Sequence, residues 1–110
     1  MREIAIEDVE GAVAAGATLV DVREPREYVA GHLPGALLVP MAQVTGRLAE
    51  IDRERPVLVV CATGNRSGVI CNVLSAAGYD ALNVVGGTSA WVRSGRPVET
   101  GLAPAPGVSR

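Results

Sequence analysis

Apolar positions in this chain fall into short runs divided by charged or glycine-rich turns, and the runs alternate between two spacings. Val9, Ala12 and Val13 stand at helical intervals within the segment Glu7 to Ala15, and Gly16 follows, which predicts a short helix stopped by a glycine. Ala17 to Val22 is apolar and β-branched and reads as a strand. Its end, Asp21-Val22-Arg23-Glu24-Pro25, turns into a helix with Pro25 at the first helical position and Gly31 at its stop. His32-Leu33-Pro34-Gly35 cannot continue a helix, and Ala36 to Val39 suits another buried strand. Val44, Leu48 and Ile51 then keep a helical interval up to the charged turn Asp52-Arg53-Glu54-Arg55-Pro56.

The second half repeats the alternation. Val57 to Val60 is a continuous apolar strand ending at Cys61, and a helix opening at Ser67 carries the stripe Val69, Ile70, Val73, Leu74 and Ala77 before Gly78. Ala81 to Val85 reads as a strand, Gly86-Gly87 as a tight turn, and Thr88 to Arg93 as a last helix bearing Trp91, a core residue or a lid on the sheet edge. Strands alternating with helices predict an α/β fold with a mostly parallel sheet and right-handed crossovers. The expected organisation is one domain over residues 1–100 and a flexible Gly/Pro-rich tail over 101–110.

Composition sharpens this picture. A chain of 110 residues should bury roughly two thirds of its unfolded surface without disulfides. Its 48% hydrophobic content, with no Phe, indicates a core of small and branched aliphatic side chains. The formal charge of −2 predicts no general attraction to nucleic acid or to anionic membranes. The acidic start, Met1 to Asp8, is unlike a signal peptide, no transmembrane run is expected, and two cysteines in such a chain read as free thiols, so the expected location is cytoplasmic.

Candidate chemistry centres on Cys61-Ala62-Thr63-Gly64-Asn65-Arg66-Ser67. A cysteine at the junction of strand and helix faces the unpaired N–H groups and positive dipole end of that helix, and Arg66 adds a permanent charge. Either a thiolate or an anion bonded to it is favoured there. If the backbone curls around the sulfur, the N–H groups of Ala62 to Ser67 point inward, Gly64 supplies the freedom to curl, and Ser67 caps the helix behind. The competing reading of Cys61 is a buried structural thiol.

Several separated segments carry a resemblance. Leu19-Val20-Asp21-Val22-Arg23-Glu24, Gly31-His32-Leu33-Pro34-Gly35-Ala36, the Cys61–Ser67 loop, Gly86-Gly87 with Ala90-Trp91, and Gly95-Arg96-Pro97-Val98 together resemble the single-domain rhodanese-like sulfurtransferase family. The resemblance implies a three-layer α/β domain with a central sheet of about five mostly parallel strands. It also implies that Cys61 carries sulfane sulfur as a persulfide, taken from thiosulfate or a thiol persulfide and passed to cyanide or a thiol, in two-step covalent catalysis without cofactor or metal. Residues 62 to 67 would cradle the anion, with Arg66 either binding a sulfonate or stiffening the loop rim.

Loop length separates this chemistry from a related one. Rhodanese-related phosphatases use Cys-x5-Arg, whereas this chain has Cys-x4-Arg, which suits one sulfur atom and cramps a phosphoryl group, so phosphatase or arsenate reductase activity ranks below sulfur transfer. A sulfur-relay or docking module for a protein partner is the other alternative. Asp21 and Arg23 read equally as a surface ion pair or as a brace for the cysteine loop. Cys71 reads as a packed helix residue, with a resolving role the minority view. His32 reads as part of a turn and not as a general base.

Overall fold

Val57–Val60 is buried at all four positions, as a strand must be when both its edges are paired and both its faces are covered. The structure, a computed structural model, describes residues 2–102. It contains β1 (Arg2–Ile4), α1 (Ile6–Ala14), β2 (Thr18–Asp21), α2 (Pro25–Ala30), β3 (Leu37–Leu38), β4 (Val57–Val60), α3 (Asn65–Ala76), β5 (Ala81–Val84) and α4 (Gly87–Arg93). The five strands form one parallel sheet of order β1-β5-β4-β2-β3, with β4 at its centre.

Alternation along the strands divides the core into two layers. Val20, Val22, Val57, Val59, Cys61 and Ala81 share one cluster with Ile70, Cys71 and Leu74 of α3. Leu19, Leu58, Val60 and Val84 share the other with Val9 of α1, Tyr28 of α2 and Trp91 of α4. The expected helix–sheet–helix arrangement is therefore present, and Cys61 continues β4 on the α3 side.

Four local expectations need correction. The N-terminal residues form an edge strand, β1, in register with β5; two of its three residues are exposed, so no apolar pattern marked it. Between Val44 and Ile51 the chain forms short 3-10 turns instead of an α-helix, broken at Arg47 (φ −123°, ψ 21°) beside Gly46, although Val44 and Ile51 are still buried. The helix after the cysteine starts at Asn65, two residues before Ser67, with Gly64 as its N-cap at φ +113°. Its buried face comprises Ser67, Gly68, Ile70, Cys71 and Leu74, and Val69, placed in the inward stripe, is 51% exposed.

Smaller shifts affect the ends. Val85 lies outside β5 and is exposed, and Gly87 opens α4 after its N-cap Gly86. Beyond α4 the chain returns to the body: His32 and Glu99 exchange backbone hydrogen bonds of 2.9 Å, and Gly101 N–H donates to Val29 O at 2.8 Å. Most of the segment expected to be a flexible tail, residues 103–110, lies outside the described residues.

Candidate active site

Cys61 stands where β4 ends and the backbone must turn to enter α3. The turn is tight because Gly64 adopts φ +113°, a conformation that L side chains resist. It brings the Gly64 N–H to 3.1 Å from Cys61 Sγ. Ser67, in the first turn of the helix, is fully buried and sets its Oγ 3.2 Å from the same sulfur. Ser67 is thus not the helix cap; its hydroxyl faces the sulfur instead.

Burial alone pushes the Cys61 thiol up, but the Ser67 hydroxyl and the N–H groups of Ser67, Gly64 and Thr63 outweigh it, so the thiol lies below its ordinary value. Cys71 shows the opposite balance. Burial first, and the Cys61 charge second, push it up to about 11. The two cysteines are both free and buried in one cluster, yet only Cys61 has donors aimed at its sulfur.

Arg66 is held by Glu27. Its two terminal nitrogens donate to Glu27 of α2 at 2.8 and 2.9 Å, a bidentate pair across the loop rim. The Arg66 hydrogen bonds hold the Glu27 carboxyl down to about 2; partial burial opposes them, and the Glu24 N–H and the Arg66 and Arg23 charges assist. Glu27 is already placed as the third helical residue of a capping box with Glu24, so one carboxylate serves the end of α2 and the rim of the loop.

Asp21 and Arg23 are no surface pair. Asp21 is fully buried and Arg23 is 6% exposed; the Arg23 guanidinium donates to both Asp21 oxygens at 2.9 to 3.1 Å and to Gly31 O at 2.8 Å. The pair ties the end of β2 to the turn after α2 rather than hydrogen-bonding the cysteine loop. Arg23 also lines an open cleft of about 370 Å³ with Ala62, Thr88, Ser89, Val92 and Arg93.

α4 supports the loop from the other side. Thr88 N–H donates to Cys61 O at 2.9 Å and Ser89 N–H to Ala62 O at 3.0 Å. That approach requires Gly87, because a Cβ there would meet the Cys61 and Ala62 carbonyl groups. His32 is buried, stacked on Tyr28 with ring centroids 3.6 Å apart, and its Nδ1 lies 2.7 Å from Tyr28 O. The Glu99 carboxylate lies 3.7 Å from Nε2, and the arrangement fits a structural turn residue. Trp91 is core: it is 1% exposed and its Nε1–H donates to Pro97 O at 2.7 Å.

The structure thus gathers Cys61, Thr63, Gly64 and Ser67 around the sulfur and leaves Asp21 and Arg23 as a neighbouring buried pair. Sequence reasoning missed Glu27, Asn83 and the α4 N-terminus. Asn83 left a signal, a lone amide in the apolar run Ala81 to Val85; its Nδ2–H donates to Gly64 O at 3.1 Å and its Oδ1 accepts from Ser67 Oγ at 2.6 Å. Among the described residues no cluster of three or more His, Cys, Asp or Glu side chains could hold a metal ion, and no helix is long and apolar enough to cross a membrane.

The structure is a parallel α/β domain with a cysteine, approached by two hydrogen-bond donors, at the carboxyl end of its central strand, and comparison narrows the class. The rhodanese-like domain model matches residues 5–94, and the chain belongs to that family. It is 42% identical over 81 residues to a sulfurtransferase of Allochromatium vinosum, covering 73% of this chain and 76% of the relative. Among solved structures, a rhodanese-related protein from Thermoplasma volcanium superposes with a TM-score of 0.84 at 31% identity, covering 90% of this chain and 98% of that one. A thiosulfate sulfurtransferase from Pseudomonas aeruginosa gives 0.81 at 29% identity, covering 93% of this chain and 21% of that one.

Proposed function

We propose that this domain transfers sulfane sulfur through a persulfide on Cys61. The thiolate attacks the outer sulfur of thiosulfate or of a thiol persulfide; the S–S bond of the donor breaks, and sulfite or thiolate departs with the electron pair. Cyanide or a thiol then attacks the outer sulfur of the enzyme persulfide, and Sγ leaves as a thiolate. The observation that carries this reading is the ring of donors on Cys61 Sγ, formed by Gly64 N–H at 3.1 Å and Ser67 Oγ at 3.2 Å at the start of α3. Negative charge is favoured there whether it rests on Sγ or one sulfur further out.

Arg66 shapes the rim in this account. With its fork taken by Glu27, the loop itself offers no free cation to recruit a sulfonate or to clamp a phosphoryl group; the cations of the adjoining cleft, Arg23 and Arg93, stand outside the loop. That favours a thiol persulfide over thiosulfate as donor, including one carried by a protein partner, and disfavours phosphatase chemistry. Asp21 and Arg23 act by holding the end of β2 in place. Purified protein given thiosulfate or a persulfide with cyanide is expected to form thiocyanate, and Cys61→Ser to form none while staying folded. Turnover of an aryl phosphate without thiocyanate production would reverse the ranking.

A further inference from the structure

Ser67 carries one hydroxyl proton and faces two acceptors. Its Oγ lies 2.6 Å from Asn83 Oδ1 and 3.2 Å from Cys61 Sγ, and a hydroxyl donates only once. The orientation of the Asn83 amide is set by its other end, where Nδ2–H donates to Gly64 O at 3.1 Å. Turning the amide over would point Oδ1 at that carbonyl oxygen, so Oδ1 must face Ser67. Asn83 is 5% exposed and pairs in register with Val59 of β4, two residues before Cys61. In that position bulk water is a poor substitute for Ser67 as a hydrogen-bond partner.

We propose that Asn83 is a positioning residue that holds the Ser67 hydroxyl proton while the Cys61 sulfur is uncharged and releases it when Sγ becomes a thiolate. The proposal rests on the reading of Cys61 as the sulfur carrier. In the thiol form Cys61 S–H can donate to the Ser67 oxygen while Ser67 donates to Asn83. In the persulfide the charge sits on the outer sulfur, the inner Sγ is a weak acceptor, and Ser67 stays on Asn83. When an acceptor bonds to the outer sulfur, the S–S bond breaks and its electron pair passes to Sγ. The hydroxyl then rotates to the new thiolate without giving up its proton. A charge-assisted bond to sulfur replaces a neutral one to the amide, so Ser67 stabilises the leaving group as it forms. Asn83 keeps the hydroxyl partnered in the other states. Among the described residues, Arg66 and Cys71 on α3 interact with the charge of Cys61, Arg23 after β2 and Arg93 of α4 line the cleft beside Ala62, and none of these is altered in the test.

The test follows the pH dependence of Cys61 alkylation by iodoacetamide, read on the Cys61 peptide by mass spectrometry so that Cys71 does not contribute. Ser67→Ala is expected to move the midpoint up and to slow alkylation at neutral pH roughly tenfold. Asn83→Leu is expected to move it down, because the Ser67 proton then has only the sulfur to bond. The double variant should match Ser67→Ala alone. An upward shift in Asn83→Leu, or a double variant distinct from Ser67→Ala, overturns the proposal and leaves Asn83 as a loop brace. If Asn83→Leu does not fold, nitrogen-15 NMR of the Asn83 side-chain amide replaces it. Those resonances should follow the Cys61 titration in the natural chain and not in Ser67→Ala; movement in both overturns the proposal. None of these readouts needs sulfur transfer, so a protein that shows the opposite shifts but takes up no sulfur would sink the functional reading and not this one.

Discussion

Replacing Gly87 by Ala tests whether the cysteine loop is held by the backbone of α4. Gly87 has φ +59°, and a Cβ built there lies 2.7 Å from Ala62 O and 2.8 Å from Ala62 C, with the Cys61 carbonyl oxygen closer still. These are main-chain atoms, so no side chain can swing aside. The left-handed conformation costs an L residue roughly 1 kcal/mol, and overlap with fixed backbone adds about 1–3 kcal/mol. Displacing the loop also weakens the Thr88 N–H to Cys61 O and Ser89 N–H to Ala62 O bonds, each of order 1 kcal/mol. Gly35→Ala is the control: φ is +82° with nothing within 4 Å, so only the conformational cost applies. Urea unfolding should therefore place Gly87→Ala about 2 kcal/mol or more below Gly35→Ala. Single-turnover sulfur transfer should fall roughly tenfold or more in Gly87→Ala and stay near the natural rate in Gly35→Ala. Equal stability and equal rates in the two variants would refute the reasoning.

The Glu27–Arg66 pair makes stability depend on acid. The folded carboxyl is held down to about 2 from an ordinary 4.5, so its contribution is present above about 4.5 and is lost as pH falls toward 2. Because the side chains are 30% and 36% exposed, about 1 kcal/mol is expected. Glu27→Gln should lose that amount at pH 7 and converge with the natural protein near pH 2; a pH-independent difference would contradict the assignment. Asp21→Ala leaves the Arg23 guanidinium buried with Gly31 O as its remaining partner among the described residues, and urea unfolding should show a loss of about 3 kcal/mol; less than about 1 kcal/mol would mean that water reaches Arg23. Cys71→Ser should keep most of the activity, and a Cys61–Cys71 disulfide in oxidised protein would contradict its role as a packed core residue.

The parallel sheet was legible because its inner strands are mostly apolar, and the central one, Val57–Val60, is a continuous apolar run with no polar face. β1 was hidden for the same physical reason in reverse, since an edge strand with exposed Arg2 and Glu3 has no apolar signature. The cysteine and its glycine turn could be read from local spacing. The partner of Arg66 could not, because Glu27 is 39 residues away and reaches the loop only once the sheet brings the start of α2 and the turn after β4 together. Ser67 was assigned to a cap by residue type. Placing the cap at Gly64 moves Ser67 into the first turn, where its hydroxyl meets sulfur and amide instead of free N–H groups.

The most direct test of a Cys61 sulfur carrier is the intact mass of the protein after incubation with thiosulfate and, separately, with a low-molecular-weight thiol persulfide. The account predicts a gain of one sulfur atom, greater with the persulfide, removed by cyanide and absent from Cys61→Ser. A protein that gains no sulfur from either donor, or a Cys61→Ser variant that still gains it, would contradict the account.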